Sequence, residues 1–283
     1  MPGLRFAFAV TMILLFAMAL VEDARFDGIH RLYPEGGLAR LRESRVAVCG
    51  LGGVGSWTAE ALARTGVGSL RLIDLDEVCV SNCNRQVHAL DSTIGRKKAE
   101  VLAERCRDIS PDVDVEVVLD FVDSGNARDL LFPADVVVDA VDNVMDKVAI
   151  FNACKDRGVG LVVVGGAGGK KDPTRVRIRR KSELYHVGGD RLLKAVRREL
   201  DAPVADAVVF SEEKADLPAR TLRKTGCDQA FGTASFVTAA FGMAAAKAAV
   251  DELLLLEREE EQQQKKDDDE FVEMDCPCSD FGS

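Results

Sequence analysis

After Asp23 the chain alternates short apolar runs with segments of helical period, the pattern of α/β units built around a parallel sheet. Arg45–Cys49 predicts a strand closed by a glycine-rich turn at 50–55. Ser56–Thr65 predicts an Ala/Leu helix ended by Gly66, and Leu70–Ile73 a second strand ending at Asp74. A helix over Lys97–Ile109 and a strand over Val113–Phe121 follow. Val136–Val141 and Leu161–Val164 are unbroken apolar runs of the kind buried on both faces of a parallel sheet, with a helix predicted over Lys147–Arg157 between them. To about residue 169 the pattern is a doubly wound sheet. Thr174–Arg180 alternates Val and Ile with Arg and predicts an edge or return strand, and the Ala-rich Gly232–Leu256 predicts a packed helix. No internal repeat is present.

Both ends differ from this body. Phe6–Val21 is a run of 16 uncharged, mostly apolar residues, preceded by Arg5 and followed by Glu22 and Asp23. As a helix it would be about 24 Å long, short of the roughly 30 Å hydrocarbon core of a bilayer. Its charged flanks read as a targeting or anchor segment over residues 1–24, and Ala17-Met18-Ala19 offers a small-x-small cleavage site. An early start codon is the competing explanation. At the other end, 257–270 (EREEEQQQKKDDDE) contains no apolar residue, so its composition predicts disorder. The division is therefore a segment 1–24, a body 25–256 and an acidic tail 257–283.

The tail also distorts the charge balance. Of the net charge of −10, residues 257–283 carry −8, so residues 1–256 are nearly neutral at −2. Overall acidity thus does not exclude a nucleic-acid substrate. Residues 170–198 hold 11 Lys or Arg against Asp172, Glu183 and Asp190, a candidate phosphate-contacting face, with a solvated edge strand and helix as the bland alternative. With 47% hydrophobic residues there is material for a core, and collagen, wholesale disorder and a multi-span membrane protein are excluded. The eight cysteines show no paired CxxC motif, which predicts a reducing compartment with most thiols packed or idle.

Candidate chemistry begins at Gly50-Leu51-Gly52-Gly53-Val54-Gly55, which follows a strand and opens a helix. Glycines there let the backbone approach a phosphate, and the helix start supplies N–H donors and the positive dipole end. Asp74, 24 residues after Gly50, ends the next strand, where a carboxylate accepts ribose hydroxyls. These features alone leave a nicotinamide-dependent dehydrogenase open. The next stretch argues against it. Ser81-Asn82-Cys83-Asn84-Arg85-Gln86 and Gly95-Arg96-Lys97-Lys98 form a polar, cationic set suited to a nucleoside triphosphate, whose chemistry depends on charge stabilisation by Arg, Lys and Mg²⁺.

Gly-x-Gly-Gly-Val-Gly-Ser at 50–56, Leu-Ile-Asp-Leu-Asp at 72–76, Ser-Asn-x-x-Arg-Gln at 81–86 and Asp-x-x-Asp-Asn at 139–143 resemble the E1-like superfamily, whose members include the ThiF and MoeB adenylyltransferases. Further blocks are similar to its tRNA threonylcarbamoyladenosine dehydratase branch: Arg25-Phe26-x-Gly28-x-x-Arg31-Leu32-Tyr33, Asn84–Leu90, Gly165–Gly169 and Asp172-Pro173-Thr174. The resemblance spans about 25–180 and resumes at 226–250. It implies an α/β, Rossmann-like, doubly wound and mostly parallel sheet with a C-terminal strand and helix extension. It implies that Gly50, Gly52, Gly53 and Gly55 line ATP phosphates, that Asp74 holds the ribose, and that Asn82, Arg85 and Lys98 bind phosphate. Asp142 matches an aspartate associated with Mg²⁺, although a helix cap at Asp142 or Asn143 is the structural alternative. Arg31 matches an arginine that enters the partner subunit's site, which implies a homodimer.

The same resemblance implies that ATP activates the carboxylate of a threonylcarbamoyl group on tRNA, with intramolecular ring closure and loss of water. Arg31, Arg85, Lys98 and Asp142 are then the catalytic set. Activation of the C-terminal glycine of a ubiquitin-like or sulfur-carrier protein is the alternative, and a non-catalytic E1-like module a third reading. A sulfur-transfer partner belongs to the family's range. Cys227 occupies a position where relatives carry cysteine, but intramolecular closure needs no acyl acceptor, so it is read as structural. His88 is read as structural too, and Cys276-Pro277-Cys278 as a weak metal or redox signal. If residues 6–21 meet a membrane, the family's eukaryotic members point to the mitochondrial outer membrane; a cytoplasmic location is the alternative.

Overall fold

A computed structural model describes residues 24–183, 189–201, 204–216 and 231–274. Its elements in chain order are α1 (Asp27–Leu32), α2 (Gly37–Glu43), β1 (Arg45–Cys49), α3 (Gly55–Thr65), β2 (Ser69–Ile73), α4 (Lys98–Ile109), β3 (Asp114–Val118), α5 (Ala127–Leu130), β4 (Val136–Asp139), α6 (Val144–Arg157), β5 (Gly160–Val164), β6 (Val176–Glu183), α7 (Arg191–Arg198), β7 (Val204–Ser211) and α8 (Ser235–Met274).

The strands form one sheet of seven in the order β3-β2-β1-β4-β5-β7-β6. Every neighbouring pair is parallel except β6 with β7, where Ile178 faces Val209 in an antiparallel register. The doubly wound, mostly parallel α/β sheet expected from the apolar runs is present. One core packs α3, α4 and α8 on one face through Leu62, Leu102 and Phe241, and another packs α5, α6 and α7 on the other through Ala127, Ile150 and Leu193. Connections run to opposite sides of β1, to β2 on one flank and β4 on the other, so the sheet has a switch point between β1 and β4. Crevices at such points, outside the carboxyl ends of the strands, are where α/β sheets bind ligands.

Several sequence expectations shift. The strand predicted over Val113–Phe121 covers only Asp114–Val118. Helix α6 starts three residues before Lys147 because Asn143 caps it, its Oδ1 accepting the N–H groups of Met145 (2.8 Å) and Asp146 (3.3 Å). Strand β7 has no counterpart among the expected strands, and it separates β5 from β6, so the Arg-rich strand β6 is the sheet's edge and not β5's neighbour. Helix α8 does not stop at 256 but continues to Met274 across the run expected to be disordered. Glu, Gln and Lys are good helix formers, so the composition of this run suits a helical backbone.

Close packing explains one glycine. A Cβ on Gly242 would lie 2.6 Å from Cβ of Trp57 and 2.7 Å from the Val54 carbonyl oxygen, so only glycine lets α8 lie this close to the start of α3. Cys49, Cys106 and Cys154 are packed as buried thiols, Cys83 is an exposed one, and Cys79 is disulfide-bonded. Among the described residues no helix is long and apolar enough to cross a membrane. The segment 6–21, Cys227, His186 and Cys276–Cys278 lie outside the described residues.

Candidate active site

The glycine turn leaves β1 at the switch point. Gly50 has φ +80°, and a Cβ there would meet the carbonyl carbon and oxygen of Ala140 at 3.1 Å, so the turn abuts the loop leaving β4. A Cβ on Gly55 would collide with the Gly50 carbonyl oxygen at 1.9 Å. Both positions require glycine for this geometry. The turn delivers the chain into α3, whose N-cap residue Val54 makes no side-chain cap bond. The first N–H groups of a helix lack intrahelical partners, so the turn is a place for an anion.

Asp74 anchors this turn from β2. Its Oδ2 accepts the Leu51 N–H at 2.7 Å and its Oδ1 accepts the Asp76 N–H at 2.8 Å. Burial lifts its carboxyl above the ordinary range, opposed by the charge of Lys98 and by those two N–H groups. Lys98, at the start of α4, is buried and pairs with Asp76 at 2.7 Å. The crossover between β2 and α4 then returns to the turn. Asn82 is buried with its Oδ1 accepting the Cys79 N–H at 2.9 Å. Arg85 is buried alongside Gly53, whose Cβ would lie 3.4 Å from Arg85 Cγ and Cδ. Its Nη1 donates to the Ser81 carbonyl at 2.6 Å and to Asn84 Oδ1 at 3.0 Å.

Two residues outside the sequence motifs hold Arg85 in place. Trp57 Nε1 (3.0 Å) and Thr238 Oγ1 (3.1 Å) both donate to the Arg85 carbonyl, tying the crossover to α3 and α8. Trp57 is the chain's single tryptophan, a signal that was available in the sequence. Gln86, which closes the Ser-Asn-x-x-Arg-Gln motif, is also buried, and its Nε2 would sit 3.9 Å from a Cβ on Gly52.

The glycine turn, Asp74, Asn82, Arg85 and Lys98 are thus brought together. Asp142 reaches the same edge on the loop between β4 and α6 and is exposed. Asn143, not Asp142, caps α6. Burial and the charges of Asp123 and Asp142 raise the Asp146 carboxyl, so this corner is acidic. Among the described residues no set of three or more His, Cys, Asp or Glu side chains is placed to hold a metal ion. Mg²⁺, however, is usually held by one or two carboxylates plus substrate phosphates, and the residues here, a single exposed aspartate on the loop that abuts the glycine turn, fit that pattern.

Arg31 lies on the six-residue helix α1, which follows Phe26. Phe26, which precedes α1, packs at Gly66, where a Cβ would meet its ring at 3.2 Å. Gly66 ends α3, and the 11-residue helix separates it from the glycine turn by about 16 Å. Arg31 itself is exposed.

The cationic stretch is less free than its composition suggested. Lys170 is buried, donating to the Gly166 carbonyl and, at 3.3 Å, to Asp190 Oδ2, with Phe241 beneath it. Lys171 pairs with Asp216 (2.7 Å), Arg177 with Glu212 (3.1 Å) and Arg180 with Asp251. Arg191, Lys194 and Arg198 on α7 are exposed. Among the described residues none of the three buried thiols is a ready nucleophile, since burial raises Cys49 and pushes Cys106 and Cys154 up to about 12.

A model of the ThiF family matches residues 28–276. The tRNA threonylcarbamoyladenosine dehydratase of Haemophilus influenzae is 40% identical over 247 residues, covering 82% of this chain and 94% of that protein. The Escherichia coli protein of the same name is 39% identical over 260 residues, covering 83% and 96%. The crystal structure of the E. coli protein in complex with ATP superposes with a TM-score of 0.76 at 38% identity, covering 85% of this chain and 99% of that one.

Proposed function

This chain belongs to the ThiF family, and from that premise we propose that it is an ATP-dependent tRNA threonylcarbamoyladenosine dehydratase. It activates the carboxylate of the threonylcarbamoyl group on the adenosine beside the anticodon and closes it into a ring. The observation that carries this reading is identity near 40% over almost the whole length of relatives bearing that name, one of them solved with ATP.

The chemistry follows from the electrophile. A free carboxylate resists attack. When one of its oxygens attacks a phosphorus of ATP and displaces pyrophosphate from the α-phosphorus or ADP from the γ-phosphorus, it becomes a mixed anhydride with a good leaving group. A nucleophile of the same side chain then attacks the acyl carbon and expels the phosphate-bearing oxygen, so the nucleoside loses one water overall. Because the second attack is intramolecular, proximity does most of the work. In this reading the turn 50–55 cradles the phosphates, Asp74 takes the ribose, and Asn82, Arg85 and Lys98 meet the charge that develops during transfer. Asp142 would hold Mg²⁺, which when bound neutralises charge between triphosphate and carboxylate.

Arg31 would complete the site from a second copy of the chain. That role would make the protein a homodimer, and Arg31 is exposed on α1. The tRNA would lie on α7 and the outer part of β6. Residues 6–21 would make a membrane contact or act as a targeting signal, and fusing residues 1–24 to a reporter locates it; cytoplasmic fluorescence removes that part.

The test is direct. The purified protein is incubated with ATP and tRNA carrying threonylcarbamoyladenosine, and the nucleosides are weighed. Loss of one water from the modified adenosine is expected. Adenylation of a Gly-Gly-ended carrier in its place would assign the chain to the carrier-activating enzymes, and neither product would reduce it to a binding module.

A further inference from the structure

Behind the site lies an ion pair that the proposed chemistry leaves unused. Lys147 on α6 and Asp139 at the end of β4 are 0% and 1% exposed. Lys147 Nζ donates to Asp139 Oδ1 at 2.9 Å and to the Asp139 carbonyl at 3.2 Å. The same carboxylate oxygen accepts the Val141 N–H at 3.3 Å. Just beyond, the Ala140 N–H bonds the Cys49 carbonyl at 2.9 Å, and the loop abuts Gly50. At its other end Asn143 caps α6. Residues 140–143, and with them Asp142, are therefore held between two fixed points.

Such a pair is an odd choice for stability alone. Two charges taken out of water lose hydration that their attraction repays poorly, and apolar replacements of similar volume are often neutral. A pair in this position does something an apolar pair cannot: it grips a strand-end carbonyl and the first turn of a loop at once. We propose that Lys147 and Asp139 are positioning residues, which set the 140–143 loop so that Asp142 is presented to the triphosphate end of the nucleotide. This rests on the assignment of Asp142 given above.

The test replaces both charges together, Asp139→Leu with Lys147→Met, so that no lone charge stays buried. Melting temperature establishes that the double variant folds. Amide hydrogen exchange at Val141 to Asn143 reports the clamp, and the ratio of AMP to Mg²⁺–ATP dissociation constants reports its consequence, because AMP lacks the phosphates that Asp142 would serve. Faster exchange confined to this loop is expected, with unchanged AMP binding and preference for Mg²⁺–ATP reduced about tenfold, the usual scale for loss of a residue that orients a ligand. Asp142→Asn should reduce the preference in the same direction. Unchanged exchange overturns the clamp. Faster exchange with the preference intact, while Asp142→Asn loses it, overturns the positioning role. Preference intact in Asp142→Asn as well overturns the assignment of Asp142, and the proposal with it.

Discussion

The Leu51 amide donates to Oδ2 of Asp74 across 2.7 Å, so the turn after β1 is tied to the end of β2 by a buried carboxylate. The aspartate that the proposed function assigns to the ribose thus also sets the shape of the glycine turn. Asp74→Ala removes the acceptor and leaves the Leu51 and Asp76 N–H groups without it. Loss of about 1–3 kcal/mol of stability is expected in urea titrations, together with loss of ATP binding by calorimetry. Wild-type affinity in this variant would separate the aspartate from the nucleotide.

His88 makes stability depend on pH. It is buried, and burial first, then the charges of Lys98 and Arg105, lower its pKa to about 4. Unfolded, it titrates near 6.5, so between these values the unfolded state binds the extra proton. Stability therefore rises with pH through this window and is lost as pH falls from about 6.5 to about 4, by up to about 3 kcal/mol from this residue. His88→Leu should flatten that part of the pH–stability curve, measured by denaturant midpoints at each pH. An unaltered slope would place the titration elsewhere.

Gly242 permits the contact between α8 and α3 that also carries the Thr238 and Trp57 bonds to Arg85. Gly242→Ala should overpack this crossing at a cost of about 1–3 kcal/mol, shift Trp57 fluorescence and weaken nucleotide binding.

Lys170 and Lys171 are adjacent but should behave oppositely. Lys170→Met strands the buried Asp190 carboxylate, which also accepts the N–H groups of Gly166 and Leu193, and a loss of about 3–5 kcal/mol is expected. Lys171→Met breaks only an exposed pair and should leave the melting temperature where it is.

On α7, neutralising Arg197 and Arg198 should weaken tRNA binding for every tRNA tested and lower the salt-dependence slope by about one for each phosphate no longer neutralised. Affinity and slope identical to wild type would take α7 off the tRNA face.

The chain's linear order already contained the strands β1, β4 and β5, because buried strands read as continuous apolar runs, and β2, where Leu70, Leu72 and Ile73 are buried about the half-exposed Arg71. It also contained the glycine turn and the polar set that follows it, because these are residue types at fixed local spacing. Strand β7 was hidden because 181–224 carries no recognisable motif, and its place between β5 and β6 depends on pairings far apart in sequence. The folded chain alone decided that Lys170 is a core cation and not a surface one, that Trp57 and Thr238 hold Arg85, and that Asp139 answers Lys147. Each of these is a contact between groups whose burial and partner are set by packing, and a sequence lists charges without saying which of them will leave water.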